Sequence, residues 1–140
     1  MIRIEKALLL CAGIALLGLA ASRVADWDLF WQLQSGRYML ETKSFIHRDI
    51  FSLAADAPRF EHCWLHDIIF YLIHSLGGYA GLSLFKGLLV AATGVVLVAV
   101  ARIRGSSWTA ILLVSPAVFA TYPAWRDRPQ LWTFLLFALL

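Results

Sequence analysis

The chain has 140 residues, 61% of them hydrophobic and only 15% charged, with 12 Lys and Arg against 9 Asp and Glu. Its mean hydropathy is +0.74. Soluble domains are nearer half apolar and a quarter charged, so this composition is that of a membrane protein. The net charge of +3 is spread along the chain, which excludes the clustered Lys and Arg footprint of nucleic-acid binding.

The first apolar run is "ALLLCAGIALLGLAA", residues 7–21, preceded by Arg3 and Lys6. Extended to 4–25 it has the roughly 20 residues a membrane span needs. A basic start, an apolar middle and Ala20-Ala21-Ser22 also fit a signal peptide. The apolar runs that follow favour an uncleaved first helix. Residues 79–101, "YAGLSLFKGLLVAATGVVLVAVA", form a second predicted span, closed by Arg102 and Arg104. Residues 106–125 form a third, kinked at Pro116, which membrane helices tolerate when neighbours take up the freed carbonyl. A fourth begins over 129–140 and is too short to cross, so the chain reads as the amino-terminal part of something longer. Lys and Arg in short loops mark the cytoplasmic side. Arg3, Lys6, Arg102 and Arg104 therefore put the amino terminus in the cytoplasm and residues 26–78 outside it. Cys11 and Cys63 should then sit at different depths and not pair.

The outer segment carries seven acids and four bases. Over 27–41 the apolar residues recur at helical spacing. Trp27, Phe30, Trp31 and Tyr38 share one face, and Leu29, Leu33 and Leu40 share another. Asp28, Gln32 and Ser35 form a polar stripe between them. This pattern predicts a helix at the membrane surface with its rings at headgroup level. Residues 42–62 are rich in turn formers. Residues 64–76, "WLHDIIFYLIHSL", predict a second surface helix, ended by Gly77-Gly78.

Three groups carry possible chemistry. Asp26 and Asp28 suit an N-cap and a first-turn acid. They also suit a general base toward a hydroxyl, or a D-x-D pair holding a divalent cation. In "WRDRPQ", residues 125–130, two guanidinium groups beside a membrane can grip phosphate by bidentate hydrogen bonds. They can equally meet lipid headgroups while Pro129 starts a helix. Lys86 lies about 8–10 Å down the second span at about 1.5 Å per residue. It either snorkels outward or has an intramembrane partner. Arg23 reads as an interfacial anchor. His47, Asp49, His62, Cys63 and His66 could be drawn together as a zinc set, but no ligand pattern such as H-E-x-x-H supports it.

Five stretches in order, "DWDLFWQLQSG", "HRDIFS", "HCWL", "LGGYAGLSLFK" and "RDRPQL", together resemble the amino-terminal part of bacterial multi-pass membrane proteins of the GT-C glycosyltransferase type. The resemblance covers residues 26–131. It implies an all-α fold of about ten or more membrane helices in the cytoplasmic membrane, of which this segment would hold the first. The sugar donor would be a polyprenyl-phosphate or polyprenyl-diphosphate lipid, and the partners would be membrane lipids and the remaining helices. Carried onto this chain, the essential acid of the first outer loop falls at Asp28 or Asp26. The second acid falls at Asp127. Arg126 and Arg128 would neighbour the donor phosphate, with Lys86 as a further phosphate-binding candidate. Where the family pattern has a histidine after the aromatic pair, this chain has Gln32. Where it has an acid before Trp64-Leu65, this chain has Cys63. The alternative is a non-enzymatic multi-pass membrane protein or an inactive fragment acting as an assembly partner.

Overall fold

The computed structural model describes residues 10, 11, 13, 14, 17, 18, 21, 26–51, 58, 60–104 and 126–140. The predicted span 106–125 lies outside the described residues, and most of 4–25 does too. Arg23 and residues 52–57 also fall outside them. The described residues are mostly helical and contain no strand, in keeping with the all-α expectation. Three helices are named among them: α1 (Leu29–Thr42), α2 (Trp64–Arg104) and α3 (Gln130–Leu139). By length and composition α2 is the one described helix able to cross a membrane, and α3 is apolar but short. The chain divides into two compact units, Asp26–Leu82 and Met1–Ala25 with Ser83–Leu140.

In the Asp26–Leu82 unit, α1 buries Leu29, Leu33, Ser35, Gly36 and Met39. These positions form one arc at 3.6 residues per turn. The arc differs from the expected apolar face at its end: Met39 is buried and Leu40 is exposed. The reason is a helix crossing. A Cβ built on Gly36 would overlap the backbone carbonyl oxygen of Asp67 and come 2.9 Å from the Tyr71 Cβ. Gly36 is therefore the point at which α1 meets the first part of α2, backbone against backbone. Contact away from that point drifts around α1. The opposite face stays outside, with Trp27 88% exposed and Phe30 and Trp31 also exposed. The helix ends where Lys43 takes a left-handed conformation, φ 53°, and the Thr42 hydroxyl donates to the Tyr38 carbonyl at 2.8 Å.

The connection from α1 to α2 is held by rings. Trp31 meets Phe51 edge-on at 5.2 Å, and Phe45 meets Trp64 edge-on at 5.4 Å. Arg48 and Pro58 make an isolated antiparallel bridge. α2 then runs for 41 residues with one interruption, Gly78, at φ 57° and ψ −152°. That conformation is essentially restricted to glycine. Residues 64–77 and 79–104 are thus two helical pieces joined at one non-helical residue, with no intervening loop. In the other unit the later piece of α2 packs on α3. Leu89, Val90 and Leu131 are buried there, against Phe85, Leu97, Trp132, Phe134 and Leu135. Phe85 and Trp132 lie 5.6 Å apart. Cys11 and Cys63 are both free thiols.

Candidate functional site

The candidate residues fall into two sets, one in each unit. The first begins at the start of α1. Helix geometry starts at Leu29, so Asp28 occupies the capping position, and its side chain makes no capping hydrogen bond. Asp26 is not the N-cap expected from its place in the sequence. Its Oδ1 instead accepts the backbone N–H of Asp28 at 3.1 Å, and its carbonyl accepts from Leu29 N at 3.3 Å. The carboxylate closes a turn just ahead of the helix, a common use of Asp. The two acids differ in surroundings: Asp26 is 6% exposed, whereas Asp28 is an exposed residue. The polar stripe is split in the same way. Asp28 faces out, Gln32 is half-buried and Ser35 is buried.

Three further polar residues in this unit are buried: Ser35, which the sequence placed on the polar stripe, His66, which it placed in the zinc set, and Asp67, which it did not single out. A signal for two of them exists, since His66-Asp67 interrupts an otherwise apolar helical face. Asp67 lies at the Gly36 crossing, where its backbone meets α1. The His66 ring lies 3.9 Å from that of Phe70. His66 precedes the Gly78 break and so lies outside the 79–101 span. Burial pushes its pKa down to about 4, because an imidazolium there would lose its water. Cys63 has a raised pKa, from burial first and then from the carboxylates of Asp67 and Glu61. Among the described residues no three His, Cys, Asp or Glu are grouped so as to hold a metal ion. Of the residues considered for a cation, Asp26 already uses a carboxylate oxygen in its own turn.

The second set lies in the other unit and is brought together by the fold. Lys86 Nζ lies 3.5 Å from Asp127 Oδ2, with side chains 2% and 1% exposed. The outward-snorkelling account of Lys86 is therefore corrected. Its ammonium is buried in protein and paired with a carboxylate 41 residues away. At 3.5 Å this is a charge pair more than a tight hydrogen bond. Two bare charges in such a place would be strongly unfavourable, and each offsets the burial of the other. The Arg128 N–H donates to the Arg126 carbonyl at 2.8 Å. This closes a three-residue turn with Asp127 at its apex. Arg126 is exposed and Arg128 half-buried. Pro129 follows as the residue capping α3, consistent with proline's preset φ at a helix start.

Chemically, the first set offers an exposed carboxylate on a rigid helix start, backed by a buried one. The second offers two guanidinium groups flanking a neutralised acid. No family model, curated protein or solved structure matches the chain.

Proposed function

We propose that this chain belongs to a multi-pass membrane glycosyltransferase of the GT-C type, transferring a sugar from a polyprenyl-phosphate donor to an acceptor on the extracytoplasmic face of the cytoplasmic membrane. The amino terminus is cytoplasmic and residues 26–78 lie outside. The observation that carries this reading is the start of α1. An exposed Asp28, backed by a buried Asp26, opens a helix whose other face exposes Trp27, Phe30 and Trp31. Aromatic rings of that kind favour headgroup depth. A lipid-linked sugar keeps its reacting carbon at the same depth.

In this mechanism Asp28 takes the proton of the acceptor hydroxyl. The acceptor oxygen attacks the anomeric carbon as the bond from that carbon to the phosphate oxygen breaks. The phosphate leaves with the electron pair, and positive charge on the sugar peaks in between. Asp26 holds the turn that aims Asp28.

The test uses the protein expressed from its complete reading frame, in membranes supplied with labelled polyprenyl-phosphate sugar. Asp28→Asn keeps the shape and removes the basic oxygen, and it should abolish transfer while donor binding persists. Asp26→Asn should retain most transfer, because Asn also closes such turns. Full transfer by Asp28→Asn would sink the assignment. A second reading, a non-enzymatic multi-pass component, is favoured by the Lys86–Asp127 pair, which gives two buried charges a structural role. Absence of any donor turnover by the wild type would select it.

A further inference from the structure

We propose that Gln32 and Ser35 form a hydroxyl-binding subsite on α1, so that the acceptor is a carbohydrate: they hold a second hydroxyl of the sugar whose reacting hydroxyl faces Asp28. The link to transfer rests on the Asp28 reading above, and the subsite itself stands on two observations. The first is placement. Asp28, Gln32 and Ser35 follow one line of the helix at i, i+4 and i+7. The line holds back to Asp28, which has helical dihedrals, φ −71° and ψ −18°, and accepts the Gln32 N–H on its carbonyl at 3.1 Å. Exposure falls along it. Asp28 is exposed, Gln32 half-buried and Ser35 1% exposed. A polar track thus leads from the surface into the Asp26–Leu82 unit. The second observation is unmet bonding. Gln32 Oε1 and Ser35 Oγ are buried atoms, and neither has a hydrogen-bond partner among the described residues. Buried polar atoms are bonded in the large majority of cases, because leaving one unmet is costly.

The two atoms define what fits them. An amide oxygen only accepts, whereas a serine hydroxyl both donates and accepts. One incoming hydroxyl satisfies both, accepting from Ser35 Oγ and donating to Gln32 Oε1. A carboxylate or phosphate dianion has no proton for Gln32 Oε1 and fits worse. Spacing agrees with a bridge. Residues three apart on a helix have Cβ atoms about 5–6 Å apart, and two O–H···O bonds end to end cover about the same distance. Gln32 lies about 6 Å along the helix axis from Asp28, at about 1.5 Å per residue, near the width of one sugar ring. A ring with one hydroxyl at Asp28 therefore presents another at Gln32. An alcohol with a single hydroxyl reaches Asp28 and leaves Gln32 and Ser35 unmet, so the pair selects polyols.

The experiment titrates methyl glucoside, methyl galactoside and methyl mannoside against the protein from its complete reading frame, in nanodiscs, by saturation-transfer NMR. Tetrahydropyran-2-methanol, the same ring with one hydroxyl, is the control. Wild type should bind at least one glycoside about tenfold more tightly than the control. Ser35→Ala and Gln32→Leu should each weaken that binding by about 3–10-fold, the size of one lost hydrogen bond. The double variant should be within about twofold of the weaker single one, because one hydroxyl bridges both side chains. Melting without ligand separates this from a structural role. Each substitution removes a buried atom that has no protein partner, so the variants should melt at or above wild type. A lower melting temperature would overturn the proposal, and Ser35→Ala, the smaller change, decides if the two differ. Glycoside binding unchanged in both variants would also overturn it and leave the pair to hold water alone. Wild type that binds none of the three glycosides, or binds the control equally well, would do the same. Asp28→Asn tells the subsite from the base. Its glycoside binding should stay within about threefold of wild type, because Asn also accepts a hydroxyl proton, while transfer is lost. Full transfer by Asp28→Asn, with glycoside binding still lost in Ser35→Ala, removes the base and keeps the subsite.

Discussion

Gly36→Ala adds one methyl group at the crossing of α1 and the first part of α2. The new Cβ would overlap the Asp67 carbonyl oxygen and lie 2.6 Å from its carbon, where ordinary contact begins at 3.4 Å. At that distance the backbone of one helix must shift away from the other before the methyl group fits. The obstacle is backbone, so no rotamer change relieves it. Overpacking of this kind costs about 1–3 kcal/mol. Parting the helices also loosens the burial of Leu33 and Met39. Against this, Ala is favoured over Gly inside a helix by roughly 1 kcal/mol. With the loosened burial of Leu33 and Met39 included, the net expectation is a loss of about 1–2 kcal/mol. Gly77 is the matched control, because it is helical and nothing lies within 4 Å of its Cβ position. Gly77→Ala should be neutral or gain up to about 1 kcal/mol. Thermal unfolding in detergent, followed by tryptophan fluorescence, compares the two directly. A Gly36→Ala protein melting at or above wild type would refute the close crossing.

Local structure was far more legible than long-range structure. The 3.6-residue spacing placed α1 within two residues at its start, 27 against 29, and within one at its end, 41 against 42. It also identified the aromatic face that stays exposed. It misassigned Leu40 because one-dimensional projection treats the buried face as a straight stripe. Crossed helices bury a stripe that rotates along the axis, and here it turns toward Gly36 and Met39. Gly77-Gly78 read as a break, and Gly78 is non-helical. The apolar run from residue 79 read as a span starting at the next residue, and the helix resumes there; that the junction is a single altered residue, with Gly77 still helical, was not legible, because two glycines permit either a loop or one altered residue. At the candidate sites the identities were legible and the environments were not. Asp26 before a helix reads as a cap, and its burial depends on tertiary packing. Lys86 within an apolar run demands a partner on energetic grounds, yet nothing local points to Asp127, 41 residues on.

Gly78→Ala forces a Cβ into φ 57° and ψ −152°, and should lower stability by about 1–3 kcal/mol; an unchanged melting temperature would mean that the junction adopts another conformation. Cys63 should react with an impermeant maleimide on intact cells, faster as pH rises toward its raised pKa. Labelling only after the membrane is opened would reverse the orientation proposed above. The remaining prediction concerns His66, buried with its ring 3.9 Å from that of Phe70. Its folded pKa is about 4 against an ordinary 6.5, so between these values the unfolded chain binds more protons than the folded one. Stability from this group is therefore complete above pH 6.5, falls as pH drops, and is lost by about pH 4. The full loss is on the order of 3 kcal/mol. Most carboxylates titrate near pH 4, so the interval from about pH 6.5 to 5 isolates the histidine. His66→Gln keeps a polar side chain and removes the titration, and its stability should be nearly flat across that interval while wild type declines. Equal slopes for His66→Gln and wild type would show that the imidazole takes up its proton in the folded protein as readily as in water, and the buried, neutral His66 would have to be abandoned.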